Sequence, residues 1–265
     1  MTVKNKIEFT PTSASGQQKA PWDRTARSPY EDLIFKSGFG GLKLNLENGL
    51  NWIRVLPALG GSDKWMTHVT AVTMHHGRFP HPCTFQEGDK SIFEKAYRWI
   101  VANAPDKLYN RDQPKGHRLL CDSLCAFWCL LENKTGGVQA KLFLGSSRKA
   151  SGKIEAGLGR RIWHIMTEPD PDVDVISDPL DQERGTMICI DKSQAPGAKY
   201  PVYHLRVGRQ PSPIQEMLDR MEPSEFKALC AIENTIRKLT DDEQYEQLVR
   251  VVGADTAAEI RSSNS

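Results

Sequence analysis

Residues 107–115, Lys-Leu-Tyr-Asn-Arg-Asp-Gln-Pro-Lys, place Tyr109 between the cations Lys107, Arg111 and Lys115 in a polar stretch where a core role for the ring is hard to arrange. Cations that track phosphates and rings on which exposed bases stack are what a single nucleic-acid strand needs from a protein surface. The same interleaving recurs: Trp52 lies two residues from Arg54 on one side of a strand, Arg118 follows Lys115, and Tyr200 and Tyr203 are followed by Arg206. Trp52, Trp128 and Trp163 are expected in the core, as large rings usually are.

Charge sharpens this pattern. The 265-residue chain has a net charge of only +2, but residues 105–165 carry eleven Lys/Arg against five acids, and residues 166–183 carry seven acids and no base. Residues 216–265 hold eleven acids and six bases. A polyanion would meet the middle of the chain and avoid its end.

Catalytic and metal chemistry find less support. There is no phosphate-cradling Gly-x-x-x-x-Gly-Lys-Ser/Thr, no Gly-x-Ser-x-Gly elbow and no convincing Cys/His nucleophile pair. Asp170, Asp172 and Asp174 alternate like calcium ligands, but the sixth loop position is Val175 and the twelfth Asp181. His75, His76, His81 and Cys83 cluster in sequence without an obvious fourth tetrahedral ligand, so they read as a hydrogen-bonded loop cluster. The expectation is a non-enzyme with no cofactor and no metal; a metal-dependent nuclease is a lesser alternative.

The elements that must position these residues are a run of strands with helices inserted. Strands are expected at 51–57, 66–74, 119–131, 138–144, 186–190 and 200–207, with Asn133 to Gly137 supplying hairpin-turn residues. Residues 77–88 read as a loop. Helices are expected at 91–102 with Asp89 near the N-cap, at 152–166, at 224–239 with one apolar face, and from the capping box Thr240-Asp241-Asp242-Glu243 through Val252. The fold class is α+β, mainly β, as an OB-type Greek-key β-barrel with inserted helices and a helical C-terminal region. Residues 1–40 are a flexible arm and lead-in, 41–210 the OB domain and 211–265 a helical partner-interaction region. No stretch approaches the roughly 18 apolar residues of a membrane span, and the six cysteines read as reduced thiols, so a cytoplasmic location and no membrane partner are expected.

Four segments in order resemble one family. Asn51-Trp52-Ile53-Arg54-Val55-Leu56-Pro57 resembles the Ile-Arg-Phe-Leu-Pro strand of the helix-destabilising, single-stranded DNA-binding proteins of T-even phages. Leu108-Tyr109-Asn110 is similar to their Leu-Tyr-Asn loop, and Gly159-Arg160-Arg161-Ile162-Trp163 to their Gly-Lys-Lys-Ile-Trp helix. Residues 178–185 with 197–203 are similar to their final barrel hairpin. The podophage branch of such proteins is a second home for the chain. The resemblance implies an OB fold that coats exposed DNA strands with little sequence preference in phage replication, recombination and repair, within the host cytoplasm. It implies Arg54, Tyr109, Arg118 and Tyr200 as groove residues, with Lys115, Arg160 and Arg161 in matching basic stretches; Arg111, Tyr203 and Arg206 complete the expected interface. The family's zinc set of one His and three Cys is not matched, nor is its acidic Ser-rich tail. Replication proteins or RNA polymerase are expected partners through the C-terminal helices, with self-association on DNA. The alternative is an adaptor or transcription factor that contacts RNA polymerase through those helices.

Overall fold

The computed structural model describes residues 42–74, 77–82, 91–105, 119–133, 136–151, 155–167, 178–198, 200–226, 229–235 and 239–262. Seven strands and six α-helices occur among them: β1 (Gly49–Val55), β2 (Met66–Met74), β3 (Gly77–Pro82), α1 (Ile92–Asn103), β4 (Leu120–Glu132), β5 (Val138–Ser146), α2 (Leu158–Thr167), β6 (Thr186–Ser193), β7 (Val202–Pro211), α3 (Ile214–Leu218), α4 (Pro223–Phe226), α5 (Asp241–Val252) and α6 (Ala254–Ser262). The chain divides into two compact units, one drawing its described residues from Gly41–Thr67 and Cys125–Thr235, the other from His68–Leu124 and Ile236–Ser265.

In the first unit the strands run β5–β4–β1–β6–β7. β1 is antiparallel to β4 at Arg54↔Leu130 and to β6 from Gly49↔Lys192 to Ile53↔Ile188. A local clasp precedes that pairing: Glu47 N–H donates to Asn51 Oδ1, and Asn51 Nδ2 donates to the carbonyls of Glu47 and Gly49. The β4–β5 hairpin turns where Asn133 Oδ1 accepts the Gly137 N–H and Gly136 takes φ 81°, a left-handed geometry for which glycine has no steric cost. The sheet is open. Among the described residues, β5 on its far side carries two isolated parallel bridges, Lys43↔Leu142 and Val138↔Met221, with Leu44 N–H donating to Leu142 O. The mixed α+β class is as expected; closure into a barrel is not observed.

The core of this unit follows strand alternation. Ile53, Val55, Phe127, Cys129, Phe143, Ile188 and Ile190 point inward and are buried, with α2 contributing Ile162 and Met166. Phe127 and Phe143 stack at 4.5 Å. Helix α2 lies close against β5 because neither Gly145 nor Gly159 carries a Cβ: one added at Gly159 would stand 2.3 Å from Cys125 Sγ.

In the second unit β2 lies between β3 and β4, with Val72 opposite Phe79. α1, α5 and α6 pack around Val72, Phe93, Ile100, Leu248, Val251 and Ile260. α1 is capped by Ser91, at the start of the expected helix: the Ser91 hydroxyl accepts Glu94 N–H while Glu94 reaches back to the Ser91 N–H. The capping box at Thr240 and Glu243 starts α5 as expected.

One expectation needs correction. The continuous helix at 224–239 is instead α4 and a short 3₁₀ turn, Ile232–Asn234. Its polar groups serve the strands: Glu225 accepts Ala140 N–H, Cys230 O accepts the Trp128 indole N–H, and Glu233 accepts from Ser62. By contact, the described residues of 211–235 cluster with the β-strands of the first unit and those of 239–262 with α1. The apolar face of α5 is consumed by that packing.

Candidate nucleic-acid interface

Strand alternation in β1, β6 and β7 creates two faces of opposite character. Across the ladder Leu50 is opposite Asp191, which is opposite His204; Trp52 is opposite Cys189, which is opposite Arg206. Residues directly opposite share a face. Leu50, Trp52, Asp191, His204 and Arg206 therefore rise together on the side away from the core, while Ile53, Ile190, Tyr203 and Leu205 face inward.

This outer face is unusually apolar for a surface. Of the six exposed large hydrophobic side chains among the described residues, Leu50, Trp52 and Val202 lie on it, Tyr200 leads into β7 and Val207 stands on β7 itself. Trp52 is 42% exposed and Tyr200 60% exposed. The indole of Trp52 extends over the strands rather than into solvent: a Cβ added at Gly208 would meet its Cζ3 at 3.5 Å. Cys189 is buried beside it. Arg206 is exposed on the same face with its Nη2 3.7 Å from Asp191 Oδ2. Arg209 is also exposed, beyond the irregularity that shifts the β6–β7 register between Thr186 and Ile188.

Arg54 requires a correction. Its Cα lies on the same side of β1 as Trp52, but the side chain is fully buried beneath the turn at 178–185. Its Nε donates to Ser212 O at 2.9 Å, Nη1 to Pro179 O at 2.6 Å and Val55 O at 3.1 Å, and Nη2 to Asp181 O. Burial lowers its pKa to about 10, with Asp181 and Asp178 opposing the shift, so it stays charged at neutral pH. Its donors are spent on main-chain carbonyls.

The other expected residues divide. Tyr203 is half-buried against the core, and burial raises its pKa. Arg161 Nη1 donates to Tyr203 O at 2.9 Å and pairs with Glu155 at 3.3 Å, which ties α2 to β7. Arg160 lies 5.5 Å from the centroid of the Trp163 ring, a cation–π contact on the half-exposed side of α2. Tyr200 and Arg206 are exposed as an interface would have them. Tyr109, Arg111, Lys115 and Arg118 lie outside the described residues, as do His75, His76 and Cys83. Trp52 is the residue that sequence reasoning assigned to the core; its position two residues before Arg54 on an alternating strand was the available signal.

Four of the thiols are held protonated at neutral pH. Burial pushes Cys125 and Cys230 up to about 12 and raises Cys129 and Cys189 as well. Among the described residues no three His, Cys, Asp or Glu side chains converge on a metal-sized site, and no described helix is long and apolar enough to cross a membrane. No protein-family model matches the chain, and no curated protein matches it significantly.

Proposed function

We propose that this protein binds single-stranded DNA on the outer face of β1, β6 and β7, coating exposed strands with little sequence preference in the manner its resemblance to phage helix-destabilising proteins implies. The observation that carries this reading is the concentration of exposed apolar and aromatic side chains, Trp52 and Tyr200 foremost, beside Arg206. A soluble surface keeps such a patch when something binds there, and rings interleaved with cations suit unstacked bases on a phosphate chain. The basic stretch at 105–165 adds charge that favours the same ligand. In this reading the strands of the first unit are an opened OB-type arrangement, with β1 between β4 and β6 and its lead-in bridged to β5.

The test is a titration of the full chain with oligo-dT and with duplex of equal length over a range of salt. Single strands should bind far more tightly, with affinity falling steeply as salt rises. Trp52→Ala should cost about 1–3 kcal/mol of single-strand affinity with little loss of stability. Equal binding to both forms, or normal binding by the folded variant, would remove the assignment.

A further inference from the structure

Asp191 is out of place on a face meant for phosphate. It stands on β6 opposite His204 and Leu50, and its Oδ2 lies 3.7 Å from Arg206 Nη2, with the two side chains 26% and 67% exposed. An ion pair this open adds little to stability, about 0–1 kcal/mol. Its larger effect is on the potential that a ligand meets. Lys192, next along β6, turns to the opposite face and donates to Leu46 O, so it does not offset the carboxylate.

A duplex and a single strand meet such a face differently. Both bring phosphates, which Arg206 attracts and Asp191 repels, leaving little net gain. Only the single strand also brings bases able to lie on Trp52, whose indole spreads across Gly208. We infer that Asp191 is a specificity determinant: by neutralising Arg206 it makes phosphate contact alone insufficient, so that ligands lacking unpaired bases are rejected. This rests on the reading of the face as a single-strand site. Discrimination here arises from a built-in repulsion rather than from an added contact.

The experiment uses the full chain as wild type, Asp191→Asn and Trp52→Ala, each titrated with oligo-dT and with duplex at several salt concentrations. Asparagine keeps the shape and removes the charge. Asp191→Asn should tighten duplex binding by about two- to fivefold, the equivalent of one exposed pair, and should steepen the duplex salt slope by about 0.9 as Arg206 becomes available to phosphate. The gain for oligo-dT should be smaller. Trp52→Ala should weaken oligo-dT and leave duplex unchanged. An Asp191→Asn protein with wild-type duplex affinity and slope, or with equal gains for both ligands, overturns the role of Asp191 while leaving the face as the binding site. Wild-type protein that does not bind oligo-dT, or Trp52→Ala that binds it normally, overturns the site and this inference together.

Discussion

Replacing Arg54 by methionine separates a structural clamp from a binding residue. The guanidinium donates to four main-chain carbonyls, on Val55, Pro179, Asp181 and Ser212. Lowering its pKa from 12.5 to about 10 corresponds to a charging penalty of about 3 kcal/mol. Against this stand hydrogen bonds from a charged donor, each worth about 1.5–3 kcal/mol, so four outweigh the penalty. In the variant, Asp181 O still accepts from Gly185 N–H at 3.0 Å, but the Pro179 and Ser212 carbonyls lose the donor that reaches them across more than 120 residues of sequence. Leaving a buried carbonyl without its donor costs about 1–3 kcal/mol, so with two carbonyls orphaned a loss of about 2–6 kcal/mol is expected in urea-induced unfolding. Arg54→Lys should recover only part of it, because one ammonium cannot span the fork. Under conditions where the variant is folded, oligo-dT affinity should match wild type. Stability within about 1 kcal/mol of wild type together with lost DNA binding would refute the clamp and return Arg54 to the groove.

Three further outcomes follow from the same region and the core. Gly185→Ala should destabilise by about 1–3 kcal/mol, because its Cβ would stand 2.3 Å from Arg54 Nη2, 2.5 Å from Asp181 O and 2.6 Å from Pro179 O; an unchanged melting temperature would contradict this packing. The Arg184 N–H, then the Glu183 N–H and the charges of Arg184 and Arg54, hold Asp181 below the usual carboxylate value. Its stabilisation is therefore present above about pH 4 and lost as pH falls through the lowered value. Asp181→Asn should flatten that acid limb in melts recorded from pH 6 downward, and an identical limb would count against it. Cys125 and Cys230, pushed up to about 12 by burial, should resist a thiol reagent at pH 8 in the native protein and react on unfolding, as mapped by mass spectrometry; rapid native labelling of either would show their burial to be wrong.

Local signals in the sequence predicted local structure well. Thr240 with Glu243, and Asn133 with Gly136 and Gly137, act within a few residues, so their cap and turn were readable before any fold was known. Strand β3 was missed because Pro80 and Pro82 argue for a loop, and such residues are tolerated at the end of the β3–β2–β4 order where one edge needs no partner. The helix at 224–239 failed because Cys230 O and Glu225 satisfy strand groups distant in sequence. Arg54 and Trp52 were misassigned as a pair for one reason. Alternation says which side of a strand a residue leaves, but not that a turn more than 120 residues later will cover one and not the other.

β1 waits a long time for its partner. Ile53 pairs with Ile188, about 135 residues further on, and at ribosomal speeds of roughly 5–20 residues per second that interval is on the order of ten seconds. Through it, an apolar strand with open hydrogen-bonding edges is the kind of segment that pairs with other nascent chains. The Asn51 clasp is made mostly within four residues: it holds the Glu47 N–H and the carbonyls of Glu47 and Gly49, and reaches β6 only at Ile190 O. Bonds so local need no distant strand to form, and replacing Asn51 is expected to lower soluble yield as well as the stability of the finished protein.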